Sequence, residues 1–194
     1  MPNHCENTLS VKGIPYDVRK FARDHYRHPD NWDGGTDRHK TVLDFSKSVP
    51  YPESMDDRRA YAQSSHSGWY DFHCEHWGTK WNAYDLFPTE FPEVIKDCDD
   101  GDLTYTFQTA WSPPVAWLVE ASKMYPDLTF TMGFVEFGCD FAGKIEVKNG
   151  ICDMLEDIEP SAWMNITADM DDDEDAYYAE WDEESSKLYE ILGF

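Results

Sequence analysis

Along Cys5–Val11 the side chains alternate, with Cys5, Asn7, Leu9 and Val11 on one side and Glu6, Thr8 and Ser10 on the other, until Gly13 stops the run. A period of two marks a strand with one buried face, so a first strand is predicted there. The period then changes. In "IPYDVRKFARDHY", Pro15 stands where a first helical turn tolerates it, and Val18, Phe21, Ala22 and His25 recur at helical spacing. A turn-rich loop, "HPDNWDGGTDRHK", leads to "TVLDFSKSVPYP", which reads as a second strand stopped by Pro50 and Pro52. From Glu53 to Gly68 the chain is polar and irregular, with a short helix predicted around "MDDRRAYAQ". Strand-like patterning returns from Trp77 to Leu86, and "PTEFPEVIKDCDDGD" interrupts it.

The strongest alternation is in "LTYTFQTAW", where Leu103, Tyr105, Phe107 and Thr109 oppose Thr104, Thr106 and Gln108. In "SPPVAWLVEASKMYP" Ser112 is placed as a helix cap, followed by prolines and by Val115, Leu118, Val119, Ser122 and Tyr125 along one side. "LTFTMGFVEFG" and "FAGKIEVKNG" make a hairpin, with Leu128, Phe130, Met132 and Phe134 inward on the first arm and Phe141, Ile145 and Val147 on the second. The order is that of an α+β, ferredoxin-like β-α-β-β-α-β plait, an antiparallel sheet with helices on one face. The domain division expected is 1–152 for this unit, with an irregular insertion at 50–76, and 153–194 for an acidic extension.

Composition narrows the function classes. Aromatic residues at 15% supply the apolar surface that a disordered chain lacks. No run of about 18 apolar residues exists, and the start "MPNHCENTLSVKG" has neither a cationic region nor an apolar signal core, so a soluble, cytoplasmic protein is expected. Five cysteines, none spaced C-x-x-C, read as reduced thiols. The formal charge of -23 opposes direct binding to nucleic acid or an anionic membrane and calls for a basic partner. From Asp153 onward fifteen acids face Lys187 alone, so the last 42 residues hold -14 of that charge.

The stretch "FHCEHWGTKWNAYD" gathers His73, Cys74, Glu75, His76 and Lys80 among aromatics. Read as a strand, it places Cys74 and His76 on one face and His73 and Glu75 on the other, too few ligands per face for zinc unless Cys5, Cys139 or a carboxylate joins them. A metal-dependent enzyme is therefore only the third alternative, and no cofactor is expected. No G-x-S-x-G elbow, H-E-x-x-H pair or phosphate-cradling glycine loop is present.

The phrases "WGTKWNAYD", "TAWSPP" and "VEFGCDFAG", with the opening "NHCENTLSVKG", resemble the YubB ferredoxin-like family of small phage and plasmid proteins over roughly 1–150. The resemblance implies the same plait and a mobile-element origin, and it supplies no catalytic residue. It departs at His4, where an aromatic is expected before the cysteine.

Two candidate sites follow. In the first, Trp77, Lys80, Trp81 and Asn82 meet Thr109, Trp111 and Ser112 at the start of the second helix, and tryptophan walls with a lysine there suit a nucleotide or other small anion. The plainer reading is that these aromatics fill the core and Lys80 lays its stem on tryptophan. In the second, Tyr178, Trp181, Ser185, Leu188 and Leu192 recur as the apolar side of a C-terminal helix headed by Asp171, Asp172, Asp173, Glu174 and Asp175, with Asp182, Glu183 and Glu184 further along. These carboxylates either form a solvated cap or imitate phosphates before a basic host protein. The leading expectation is a non-enzymatic acidic binding or inhibitor module acting on a nucleic-acid-handling defence protein.

Overall fold

The computed structural model describes residues 3–27, 41–52, 68–89, 91–171 and 173–194. The expected loop at 28–40, the polar stretch with its short helix at 53–67, and Asp172 lie outside the described residues. Strand β1 (His4–Lys12) is flanked by β3 (Asp102–Ala110) and β4 (Thr129–Glu136), both antiparallel to it. Outside β3 lies β2 (Tyr84–Phe87), and beyond β4 come β5 (Phe141–Lys148) and β6 (Ile151–Ile158), giving the order β2-β3-β1-β4-β5-β6. The first four strands in this order make the ferredoxin-like plait, and β5–β6 extends its sheet. Register aligns the buried rows: Leu9 stands between Tyr105 and Met132, and Val11 between Leu103 and Phe130. A slip of one residue would turn that row to water, so the alternation itself fixes the pairing.

Helix α1 (Pro15–Asp24) buries Val18, Phe21 and Ala22 on one face of this sheet. The predicted strand at 41–49 is instead a bend with a 3-10 turn at Phe45–Lys47. Val42, Leu43, Asp44 and Phe45 are buried in succession, which a half-exposed strand does not do. Asp44 turns inward because its Oδ1 accepts hydrogen bonds from the Ser46 amide (3.0 Å), the Ser46 hydroxyl (2.8 Å) and Asn82 Nδ2 (2.8 Å), while Arg27 Nε lies 3.3 Å from Oδ2.

Helix α2 (Gly68–His76) replaces the irregular end of the predicted insertion and the first residues of the stretch read as a strand. Its fold-back is local: His73, one helical turn before Trp77, stacks on the indole at 3.7 Å and 11°. The chain turns through Gly78, at φ 82°, and becomes strand only at β2, where Tyr84 and Phe87 pair with Gln108 and Thr106. The interruption before β3 contains helix α3 (Phe91–Asp97), which buries Val94. Helix α4 (Val115–Met124) buries Trp117, Leu118, Ala121 and Ser122 beside α1. Pro114, not Ser112, is its N-cap.

After β5, Asn149 and Gly150 both take positive φ (47° and 81°), the paired left-handed geometry of a two-residue hairpin turn. They launch β6, so the expected division at 152/153 falls inside a strand of the same sheet. The short helix α5 (Pro160–Trp163) leads to α6 (Glu174–Leu192). Asp173 caps α6 by accepting from the Ala176 amide, and Gly193, at φ 94°, closes it with its N–H on Tyr189 O and Glu190 O. Helices thus cover both faces: Leu188 and Leu192 bury against Val135 and Ala142 on the side away from α1 and α4. The fit depends on Gly133, where a Cβ would collide with the Leu192 carbonyl.

Candidate functional site

The structure brings the turn after Trp77 against the end of β3, where the residues of the first predicted site lie. Two hydrogen bonds tie the Trp77–Lys80 turn to the end of β3, Thr79 Oγ1 to Ala110 O (2.9 Å) and Ser112 Oγ to Gly78 O (2.5 Å); the Trp117 amide ties it to α4 through Trp77 O (3.2 Å), and Thr109 Oγ1 closes the strand end on Ser112 O (2.8 Å). Most of the predicted residues are thereby used as structure. Trp77 is 4% exposed, and its Nε1–H donates to Val49 O at 2.9 Å. Asn82 accepts from the Phe45 amide at 3.0 Å and donates to Asp44. Thr109 is buried and also accepts from Asn7 Nδ2 at 3.0 Å.

Trp81 and Trp111 remain exposed, and Lys80 is half-buried. The Lys80 ammonium sits 5.0 Å from the centroid of Trp81 and 5.6 Å from that of Tyr70, within cation–π range of both. Trp81 is 37% exposed and meets Tyr84 edge-on at 6.1 Å. Trp111 is 44% exposed at φ 75°, a backbone region that costs a bulky residue on the order of 1–3 kcal/mol. Its amide donates to Asn3 O at 3.1 Å, and the surrounding hydrogen bonds hold it there.

Tyr70, Tyr84 and His4 also border this surface and were not among the predicted residues. The Tyr84 hydroxyl donates to Thr109 O at 3.2 Å, so the His4 Nδ1 contact at 2.8 Å is donated by the ring. Burial pushes the Tyr84 phenol up to about 12, which keeps it protonated. Tyr84 lies in the quoted "WGTKWNAYD" phrase and was legible as part of it. Tyr70, in α2, carried no such mark.

The metal reading changes with the helix. His73 donates Nδ1–H to Lys80 O at 3.0 Å and lies flat on Trp77, and burial holds its pKa below the usual imidazole value. Among the described residues no group of three or more His, Cys, Asp or Glu side chains is placed to hold a metal ion. Burial raises the thiols of Cys74 and Cys152 and pushes Cys5 up to about 12, and Cys139 is raised by its hydrogen bond to Glu136. None of these four has the lowered pKa of an activated thiolate.

At the acidic end the carboxylates divide into two groups. Glu180 and Glu184 face inward and hold the segment before α6. Glu180 accepts from the amides of Thr167 (2.5 Å) and Ala168 (2.9 Å), and Glu184 from the Asn165 amide (3.1 Å). These hydrogen bonds keep both carboxyls below the ordinary carboxylate range, Lys187 contributing first for Glu184. Asp171, Asp173, Glu174, Asp175, Asp182 and Glu183 are exposed. Lys187 bridges Glu183 (2.9 Å) and Glu184 (2.6 Å). By contrast Asp153, Glu156, Asp157, Asp175, Asp182 and Glu190 are exposed and make no ion pair with another described residue. No described helix is long and apolar enough to cross a membrane.

A family model described as the ferredoxin-like domain in Api92-like protein matches residues 90–189. A crystal structure of a protein Api92 from Yersinia pseudotuberculosis is similar at 12% identity, over 82% of this chain and 98% of that chain, with a TM-score of 0.39. No curated protein matches the sequence. The matched description gives the ferredoxin-like domain that the YubB resemblance implied, under the Api92-like name.

Proposed function

We propose that this chain, which belongs to the family of the ferredoxin-like domain in Api92-like protein, is a non-enzymatic accessory protein of a phage or plasmid. In this reading its carboxylate-rich C-terminal part occupies a basic surface of a host nucleic-acid-handling protein. One observation carries it: seven exposed carboxylates on β6 and α6 (Asp153, Glu156, Asp157, Glu174, Asp175, Asp182 and Glu190) make no ion pair with another described residue, and Lys187, the sole basic residue after residue 152, is already engaged by Glu183 and Glu184. Exposed like charges held on a rigid sheet and helix raise the local field, steer a cationic partner and lose that advantage in salt. The test is capture from a bacterial lysate at low and high salt with the purified chain as bait. A basic nucleic-acid-handling protein retained at low salt and released at high salt is the expected result. Retained proteins that are indifferent to salt, or acidic, would refute the proposal.

The Lys80 ammonium over the exposed ring of Trp81 favours a second reading, capture of a nucleotide-like anion by ring stacking and an ammonium. Thermal shift against a nucleotide panel discriminates, because ligand at a hundred times its dissociation constant stabilises by about 2.7 kcal/mol. A Trp81→Ala variant should abolish that shift, and a panel without any shift retires the reading.

A further inference from the structure

The two edges of the sheet are finished differently. β2 has four residues and a register shift, and Asp85 in its middle takes positive φ, so it offers little backbone for another strand to pair with. β6 has eight residues and pairs with β5 on one side, and among the described residues no strand pairs with its other side. Seven of its eight residues are exposed, including Ile151 (66%) and Met154 (60%), and it contains no lysine or proline. Charged side chains, proline and bulges are the usual guards of a free edge, and here they are Asp153, Glu156, Asp157 and the bulge at Leu155, all compatible with a cationic strand.

Register assigns chemistry to each side of β6. Cys152 and Met154 stand opposite Val147 and Ile145, on the face that bears α1 and α4. Asp153 and Glu156 stand opposite Glu146 and Lys144, on the face that bears α6. The Glu146–Asp153 pair sets two carboxylates directly across from each other, which is unfavourable until a cation joins them. A second copy of this strand brings none, since it offers Asp153, Glu156 and Asp157 and no lysine or arginine. An incoming strand that alternates apolar and cationic side chains matches both faces at once.

We infer that β6 is a strand-addition site for an extended segment of a basic partner protein, with apolar side chains seated beside Cys152 and Met154 and lysines or arginines beside Asp153, Glu146 and Glu156. The inference rests on the acidic-binding reading above and names where on the molecule that partner attaches.

The probe is a synthetic, end-capped octapeptide alternating lysine and valine, titrated into the full chain at low and high salt, with amide hydrogen exchange read residue by residue. Binding should weaken with salt, and β6 amides should slow by about tenfold as their free N–H groups find acceptors. The double variant Met154→Lys, Leu155→Lys should weaken binding by about tenfold, because it adds cations and removes the apolar seat. Asp153→Lys with Glu156→Lys, both at exposed positions, is a second variant expected to act in the same direction. Salt-sensitive binding that leaves β6 exchange unchanged and ignores both variants overturns the edge site while the acidic reading stands. Absence of binding at low salt overturns both. A dimer in sedimentation that the Met154→Lys, Leu155→Lys variant splits also overturns the inference, because the edge then belongs to a second copy.

Discussion

On one face of the sheet, α1 and α4 lay Val18, Phe21, Trp117 and Leu118 against strand residues that water does not reach. On the other, α6 touches down through Leu188 and Leu192 and leaves its first turns to solvent. The first face is a core in which His25, Asp44 and Trp117 find hydrogen-bond partners and the buried Tyr105 hydroxyl has none among the described residues. The second is a surface in which a short apolar contact holds a largely acidic helix in place. Stability and charge are therefore carried by different sides of one sheet, and a substitution on either side should report which it serves. The largest effect belongs to Phe45, which is fully buried, stacks on Trp117 at 4.3 Å and meets Trp77 and Phe107 edge-on. Phe45→Ala should lower global stability by about 3–5 kcal/mol in denaturant unfolding. A loss below about 1 kcal/mol would mean that the 41–49 bend is not part of the core.

That bend also marks where the sequence stops being readable. β1, β3, β4 and β5 were legible because large apolar residues recur at every second position toward α1 and α4, although the second half of β4 is buried on both sides. At 42–45 Asp44 is buried with its apolar neighbours, and its partners Arg27 and Asn82 come from distant segments, so the local pattern misreads as a strand. β6 failed for the opposite reason: both its sides are exposed and Leu155 breaks its period, although the Asn149–Gly150 turn announced it. In the candidate site, the acidity of α6 could be counted from composition. Which tryptophans stay open could not, since Trp77 is drawn inside by Val49 O and His73 while Trp81 is left out.

The second effect tests how dry the helix-bearing face is. His25 is buried between α1 and α4, its Nδ1–H donating to Phe21 O (3.0 Å), so Nε2 accepts from Ser48, whose oxygen in turn accepts from Trp117 Nε1–H (2.8 Å). Burial drives its pKa down to about 4, against the opposing pull of Phe21 O, Asp24 and Asp44. Between pH 6.5 and 4 the unfolded chain takes up a proton that the native chain refuses. Stability is therefore full above pH 6.5 and falls as pH drops through this window, by about 3 kcal/mol in all. Denaturant unfolding from pH 7 to pH 5 should show a slope approaching about 1.4 kcal/mol per pH unit, one proton's worth, and His25→Asn should remove most of it. His73, also lowered by burial, adds in the same direction and accounts for what remains. A pH-independent wild type across this range would mean that water reaches the His25 ring.

The smallest effect belongs to the acidic side and asks whether α6 is a separable layer. Leu188 is fully buried, but its packing partners are few: Val135, Ala142 and Leu192, with Phe137, Ile158, Trp163 and Tyr189 at the margin. Polar contacts pin the C-terminal end of the helix, with Lys144 Nζ donating to Ile191 O (2.9 Å) and the Tyr189 hydroxyl to Glu6 (2.8 Å). None of these reaches the α1–α4 core, so Leu188→Ala should cost about 2 kcal/mol locally and speed amide exchange in α6, with β1 and β3 amides unchanged. Because α6 carries Asp175, Asp182 and Glu190, the same variant should also weaken salt-sensitive partner binding, by loosening the rigid display of charge rather than by removing any charge. If β1 and β3 amides accelerate as much as those of α6, the two faces unfold as one unit, and the acidic layer is part of the plait's own stability.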